Sequence, residues 1–200
     1  RDALVVLPTG GGKSLCYQVP ALMREGLTIV VSPLISLMKD QVEALERRGL
    51  SAAYINSTLS SNEVADRMAR ARDGSLKLLY LAPERMDAGR TMQRLADIGV
   101  ALLAVDEAHC ISEWGHDFRP SYRRIGRIRD GLGGPQTVAL TATATPDVRQ
   151  DIVKQLALRE PEVVVAGFDR TNLTYHVVPT RTQHDKDSTA VQWLREAEGP

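Results

Sequence analysis

The stretch LPTGGGKSL, residues 7–15, decides the fold, because three consecutive glycines join a short apolar strand to a helix. Glycine lacks a Cβ, so the backbone N–H groups of such a loop can close around a phosphate. The helix N-terminus adds partial positive charge, Lys13 can reach the outer phosphates, and the Ser14 hydroxyl can ligate Mg²⁺. We therefore predict a loop that binds ATP with Mg²⁺, made of Pro8, Thr9, Gly10, Gly11, Gly12, Lys13 and Ser14.

The loop departs at one position from the general pattern GxxxxGK[ST], which has a glycine where this chain has Leu7. A flexible glycine turn at the end of a strand is the alternative interpretation, and three glycines alone would favour it. The pair Lys13 and Ser14, together with the strand-to-helix context, favours phosphate binding.

Short β-branched runs alternate with longer amphipathic stretches along the chain, which predicts a three-layer α/β fold with a mostly parallel central sheet. Ser60 and Ser61 can cap the third helix, and Pro146 suits the first turn of a later one. The predicted strands are residues 4–7, 28–32, 53–56, 76–81, 101–106, 137–141 and 163–166. The predicted helices are residues 13–24, 34–48, 61–73, 84–97, 122–132, 146–156 and 187–197.

Composition narrows the class of protein. Lys plus Arg equals Asp plus Glu at 25 each, so contact with a polyanion must come from local clusters or backbone amides. No apolar run approaches the roughly 18 residues of a membrane span, and no N-terminal secretion signal is present, so we expect a cytoplasmic protein and no membrane partner. Cys16 and Cys110 form no CxxC pair, which favours two reduced structural thiols.

A second group of chemically active residues is VDEAH, residues 105–109, at the end of an apolar strand. Asp106 can hold Mg²⁺ through its water shell, and Glu107 can orient and deprotonate the water that attacks the γ-phosphate. An acidic helix cap is the alternative for the two carboxylates. His109 taken alone would be interpreted as an ordinary buried histidine.

The string DEAHCISEWGHDFRPSY, residues 106–122, resembles the Walker B motif and aromatic-rich loop of RecQ helicases, and residues 7–21 are similar to their motif I. The resemblance covers nearly the whole chain and continues through residues 30–42, 79–86, 139–146 and 168–177. It implies the N-terminal RecA-like lobe of a superfamily 2, DEAH box, ATP-dependent DNA helicase. It also implies 3′–5′ translocation in recombination, repair and replication. RecQ proteins usually have Arg-Pro-Asn in the last motif, where this chain has Arg170, Thr171 and Asn172.

The aromatic-rich loop suits single-stranded DNA, because Trp114 and Phe118 can stack on bases while His116 and Arg119 meet phosphates. A small hydrophobic plug under the loop is the alternative for its aromatic residues. The resemblance gives a coupling role between the nucleotide and DNA sites to His109, Thr141 and Thr143. It implies DNA contacts for Ser32, Pro33, Asn56, Ser57, Glu84 and Arg85.

One predicted helix carries four arginines, for which a solvated charged face and a DNA track both remain open: Arg123, Arg124, Arg127 and Arg129.

Residues 1–168 are expected to form the first RecA-like lobe, with motifs I to III. Residues 169–200 are expected to form the linker and first helix of a second RecA-like lobe. By resemblance, motif 0 would precede Arg1, and motifs IV to VI with an arginine finger would follow Pro200. We therefore expect DNA and a second lobe as partners. The 200-residue chain alone should bind ATP, Mg²⁺ and DNA weakly, with little ATP turnover and no unwinding.

Two other functions remain to be weighed. A superfamily 2 RNA helicase or remodeller would share the motor, but the long string at residues 106–118 favours the RecQ type. A non-catalytic, nucleotide-dependent binding module is the other, and the presence of Lys13, Ser14, Asp106 and Glu107 weighs against it. A RecQ-type enzyme would act at the nucleoid of a prokaryote or in the nucleus of a eukaryote.

Overall fold

A computed structural model describes residues 1–86, 89–167, 174 and 176–196, without the side chains of residues 89–90. The chain divides into two compact units, Arg1–Phe168 and Asp169–Pro200. The division falls where the sequence predicts the first lobe to end, whereas the nature of the second unit stays a prediction. Most of the motif at residues 168–177 lies outside the described residues.

The first unit is built on one seven-stranded sheet in which all pairings are parallel, in the order β3-β4-β2-β5-β6-β1-β7. This confirms the predicted α/β class and makes the described sheet wholly parallel. Each strand lies within one residue of its prediction except β4, which begins two residues later. The strands are β1 (Ala3–Val6), β2 (Leu27–Val31), β3 (Ala52–Ile55), β4 (Leu78–Leu81), β5 (Val100–Val105), β6 (Gln136–Thr141) and β7 (Glu162–Val165).

Helices connect the strands, as a parallel sheet requires. The α-helices are α1 (Leu15–Met23), α2 (Ile35–Glu46), α3 (Ser61–Arg72), α4 (Pro83–Met86), α5 (Gly89–Ile98), α6 (Ile125–Gly131), α7 (Pro146–Gln155) and, in the second unit, α8 (Gln183–Glu196). Two 3₁₀ helices cover Ala108–Ile111 and Pro120–Arg124. None of the helices within the described ranges combines the length and hydropathy that a membrane crossing requires.

Helix ends differ from prediction more than strand ends do. The predicted helix 84–97 is two helices, α4 and α5, and the predicted helix 122–132 begins as a 3₁₀ helix at Pro120. Helix α8 starts four residues early, because the Thr182 hydroxyl accepts a hydrogen bond from the Asp185 N–H at 3.1 Å and caps it. The predicted cap of α3 is confirmed for Ser60, which forms a reciprocal capping box with Glu63.

The apolar core lies in two layers, one on each face of the sheet. All five residues of β2 are buried; Leu27, Ile29 and Val31 belong to one layer and Val30 to the other. Successive side chains of a strand point to opposite faces, so burial of every residue indicates cover on both sides. The fold is therefore a three-layer sandwich, and its strand ends are left to carry the chemistry.

A buried ion pair fixes the amino-terminal end of β1. Arg129 and Asp2 are each 2% exposed, and the Arg129 guanidinium pairs with the Asp2 carboxylate. Asp2 also accepts hydrogen bonds from the N–H groups of Thr137 at 2.9 Å and Arg159 at 2.6 Å. Arg129 therefore contradicts both interpretations of the arginine cluster, the solvated face and the DNA track. Its side chain is buried, and its charge is paired with a buried carboxylate.

Replacing Arg129 by Met should lower the free energy of unfolding by about 3–5 kcal/mol, since it leaves the charge of Asp2 buried without a partner. Urea denaturation followed by circular dichroism measures the change. The control is Arg127→Met, because Arg127 lies exposed on the same helix and should change stability by no more than about 0.5 kcal/mol. Equal losses in the two variants would contradict the assignment.

Candidate functional site

The candidate site lies where three neighbouring strands end. The glycine loop follows β1, Asp106 and Glu107 follow β5, and Thr141 is the last residue of β6. These strands are adjacent and parallel, in the order β5-β6-β1, so their carboxyl ends meet at one edge of the sheet. This edge is where parallel α/β proteins bind ligands.

The glycine loop has a backbone that other residues would strain. Gly10 and Gly12 both have φ of +81°. A Cβ on Gly11 would lie 2.9 Å from the Pro8 carbonyl oxygen. Lys13 Nζ turns back into the loop and donates hydrogen bonds to the carbonyls of Leu7 at 3.3 Å and Pro8 at 3.5 Å. The loop thus offers an open backbone cradle with one cation inside it, which fits a phosphate.

The surroundings of Asp106 disfavour the ionised form of its carboxylate. Its backbone N–H donates to the Val31 carbonyl at 2.9 Å, and its Oδ1 accepts from the Glu107 N–H at 3.0 Å. Burial, followed by the charge of Glu107, raises the pKa of Asp106 to about 6. A desolvated carboxylate beside a second one is relieved by a cation, so the donor set of Asp106 and the Ser14 hydroxyl fits Mg²⁺.

Glu107 has an unusual backbone, with φ of 47° and ψ of 45°. This left-handed conformation costs a non-glycine residue about 1–3 kcal/mol and is common at functional sites. Glu107 Oε2 lies 3.3 Å from His109 Nδ1, and the hydrogen bond with His109 is the largest cause of the lowered pKa of Glu107. The two adjacent carboxylates therefore have pKa values shifted in opposite directions, which separates their chemical roles.

The three residues predicted to couple the sites form one hydrogen-bonded chain. His109 Nδ1 lies 2.8 Å from Thr141 Oγ1, which donates to the Thr143 carbonyl at 3.1 Å. On its other side, His109 stacks on His116 with ring centroids 4.4 Å apart and planes 14° apart. His109 therefore touches the Glu107 carboxylate, the end of β6 and the aromatic-rich loop.

The aromatic-rich loop, residues 112–118, lies against the backbone of residues 106–109, which we call the DEAH segment. A Cβ on Gly115 would be 2.6 Å from the His109 carbonyl oxygen, so the close approach requires glycine. Trp114 is 80% exposed, which excludes the plug interpretation for this residue. Phe118 is half-buried, with the Arg123 guanidinium 5.9 Å from its ring centroid. Arg119 pairs with Asp117 at 3.0 Å and donates to the Pro33 carbonyl at 3.2 Å.

The residues predicted to contact DNA at other strand ends differ in exposure. Ser32 and Asn56 are each 2% exposed, so their side chains offer no surface to a nucleic acid. Asn56 Oδ1 instead accepts hydrogen bonds from Thr58, while its carbonyl accepts from Arg85 Nε at 2.8 Å. Ser57 and Glu84 are exposed, and Pro33 and Arg85 are half-buried.

A polar network that joins α1, α2 and β4 was not predicted. Gln18 Nε2 on α1 donates to Gln41 Oε1 on α2 at 2.9 Å and to the Tyr80 hydroxyl on β4 at 3.3 Å. The hydroxyls of Tyr17 and Tyr80 are 3.3 Å apart. The network joins the helix after the loop to the helix after β2. A glutamine at a position that helical periodicity assigns to the core was the available signal.

A cavity of about 560 Å³ opens beside the coupling residues, between the aromatic-rich loop and the start of α7. Its lining includes His109, Trp114, His116, Thr143, Pro146 and Arg149. Aromatic rings on one wall and an arginine on the other suit a flat, anionic ligand component.

A model of the DEAD/DEAH box helicase family matches residues 1–152, which include the glycine loop, Asp106–His109 and the end of β6. The chain belongs to this family. It is 57% identical to the ATP-dependent DNA helicase RecQ of Bacillus subtilis (strain 168) over 179 residues, 89% of this chain and 30% of that protein. It is 47% identical to the ATP-dependent DNA helicase RecQ of Pasteurella multocida (strain Pm70) over 178 residues, 89% of this chain and 28% of that protein.

Among solved structures, the chain is similar to the crystal structure of the Pyrococcus furiosus Hef helicase domain, with a TM-score of 0.61 and 24% identity. The match covers 82% of this chain and 34% of that one, and it supports the RecA-like α/β fold. The chain spans less than a third of the length of each of the two RecQ relatives.

Replacing Asp106 by Asn should stabilise the chain without nucleotide at pH 8 by about 2–3 kcal/mol. The folded chain holds this carboxyl with a pKa of about 6 against an ordinary value of 3.8, so ionisation above pH 6 destabilises the fold. The extra stability of Asp106→Asn should decrease as the pH falls from about 6 to about 4, and it should disappear below about pH 4. Urea unfolding across the pH range measures it. The control is Asp130→Asn, an exposed carboxylate on α6 that should change stability by no more than about 0.5 kcal/mol. A pH-independent difference for Asp106→Asn would contradict the prediction.

Proposed function

We propose that the chain is the ATP-binding first motor lobe of a RecQ-type DNA helicase, which couples ATP hydrolysis to 3′–5′ translocation and unwinding in recombination, repair and replication. The observation that carries the proposal is the path from Glu107 through His109 to Thr141 on one side and His116 on the other. This path joins the carboxylate proposed to be hydrolytic to His116, an exposed residue of the loop proposed to bind DNA. The two RecQ relatives are named as ATP-dependent DNA helicases, which agrees with the proposal.

In the proposed reaction, the backbone of residues 8–12 and the Lys13 ammonium hold the phosphates of ATP. Ser14 and Asp106 hold Mg²⁺, largely through water, and the ion neutralises charge on the phosphates. Glu107 orients the attacking water and accepts its proton. His109 holds Glu107 on the side of β6, which keeps the base in a single orientation until ligands bind.

The DNA strand is proposed to cross the carboxyl ends of the strands from the aromatic-rich loop toward β3. Trp114 stacks on a base, and His116, Phe118 and Arg119 line the same loop. Pro33, Ser57, Glu84 and Arg85 border the path, and Ser32 and Asn56 support it from below. A second RecA-like lobe is proposed to close over the nucleotide and supply an arginine to the phosphoryl group. Such an enzyme acts where chromosomal DNA lies, at the nucleoid or in the nucleus.

Replacing Lys13 by Ala should weaken binding of a fluorescent ATP analogue with Mg²⁺ by about 10- to 150-fold, because charge-assisted hydrogen bonds contribute about 1.5–3 kcal/mol each. Fluorescence titration of the 200-residue chain measures the affinity. Lys39→Ala is the control, since Lys39 is exposed on α2 and pairs only with Glu43 at 3.8 Å among the contacts described for it. Equal affinities for the Lys13 and Lys39 variants would exclude the loop as the nucleotide site.

Glu107→Gln should retain nucleotide binding in the same assay. In a polypeptide that joins this chain to a second RecA-like lobe, it should abolish DNA-stimulated ATP hydrolysis, because the amide cannot accept the proton. Unwinding that survives this substitution would favour the nucleotide-dependent binding module instead.

Replacing Trp114 by Ala should weaken binding of labelled oligo(dT) by about 5- to 150-fold, since stacking of a base on an aromatic ring contributes about 1–3 kcal/mol. Fluorescence anisotropy measures the affinity at fixed salt. Trp193→Ala is the control, because Trp193 is 47% exposed in the second unit and should leave binding unchanged. Tighter binding of oligo(U) than of oligo(dT) would favour the RNA helicase alternative.

A further inference from the structure

Three side chains with metal-binding atoms converge where the aromatic-rich loop meets the DEAH segment. The ligand atoms of His109, Cys110 and Asp117 all lie within 4.8 Å of one another. Cys110 Sγ is 3.8 Å from His109 Nε2 and 3.7 Å from Asp117 Oδ2. In a tetrahedral site, zinc bond lengths of about 2.0–2.3 Å place the ligand atoms about 3.5 Å apart. Small side-chain movements would therefore bring all three onto one ion.

The hydrogen bonds of His109 leave its Nε2 atom, the one near Cys110, available to bind a metal. The Thr141 hydroxyl donates its proton to the Thr143 carbonyl at 3.1 Å, so its oxygen accepts from His109 Nδ1 at 2.8 Å. Glu107 Oε2, 3.3 Å from Nδ1, supports the same tautomer. The lone pair is thus on Nε2, which faces Cys110. A ligating histidine in proteins is commonly oriented in this way by a carboxylate or another acceptor on its second nitrogen.

The chemistry of the three ligands selects the class of ion. One sulfur, one imidazole nitrogen and one carboxylate oxygen suit zinc and similar ions, whereas Mg²⁺ and Ca²⁺ prefer oxygen alone. Cys110 is buried, which raises the pKa of its thiol to about 12, so only an ion with high thiolate affinity displaces the proton to solvent. Asp117 Oδ2 also accepts hydrogen bonds from Arg119, so the ion would bind the other carboxylate oxygen or share Oδ2 with the guanidinium.

We propose that His109, Cys110 and Asp117 form a binding site for Zn²⁺ or a similar thiophilic divalent ion, with water as the fourth ligand. Cys110 binds as the thiolate and releases one proton to solvent. The ion would tie Asp117, in the loop that presents Trp114, to the segment that carries Glu107. It would thus add a side-chain connection to the backbone contact at Gly115.

Titration of the reduced 200-residue chain with Co²⁺ tests the proposal, because a cobalt–thiolate bond gives a near-ultraviolet charge-transfer band that oxygen and nitrogen ligands lack. The band should develop, should disappear when Zn²⁺ is added, and should be absent from Cys110→Ser. The control is Cys16→Ser, which removes the other thiol and should leave the band intact. Absence of the band, or its loss in Cys16→Ser with retention in Cys110→Ser, would overturn the proposal.

A second variant keeps the test decisive if Cys110→Ser fails to fold. The Asp117 side chain is 48% exposed, so Asp117→Asn should fold normally. It should weaken Co²⁺ binding by at least about tenfold while keeping the thiolate band, since loss even of a group that only orients a ligand costs about 10- to 100-fold. Asp130→Asn, an exposed carboxylate on α6, should bind Co²⁺ as the unmodified chain does. Equal affinity in the Asp117 and Asp130 variants would exclude the three-residue site.

Discussion

The parallel pairing of β6 with both β1 and β5 is the constraint on which the rest of the structure depends. It brings the glycine loop, the acidic pair and Thr141 to one edge, although they lie far apart in the chain. The register pairs Val6 with Thr141 and Val105 with Ala139, so the ends of the three strands lie side by side. Asp2 and Arg129 anchor β1 from the opposite end. The site is therefore positioned by the sheet rather than by its own contacts.

Two features of the candidate site lower the free energy of unfolding of the chain. Asp106 is desolvated beside a like charge, and Glu107 occupies a left-handed backbone conformation. Both features oppose folding of the chain without ligands, and a cation bound at the site would relieve the cost at Asp106. Strained and destabilised groups of this kind concentrate at functional sites because the surrounding core can hold them.

The sequence was most informative where one physical rule dominates. Short runs rich in β-branched residues predicted the strands closely, and glycines followed by Lys13 and Ser14 predicted the loop. The sequence could not predict that Arg129 is buried, because its partner Asp2 lies 127 residues away in the chain. It also could not predict that Asn56 turns inward to Thr58 or that Glu107 contacts His109, because both depend on local backbone torsions. Long-range pairs and torsions are what the fold adds.

Gly115 lies where the aromatic-rich loop contacts the DEAH segment, the two parts of the proposed coupling path. No side chain separates the loop from the His109 carbonyl, so backbone rests directly on backbone. A side chain could rotate and absorb a displacement, whereas a peptide plane cannot. A displacement of Trp114 would therefore move the backbone of the DEAH segment directly, without loss to side-chain rotation.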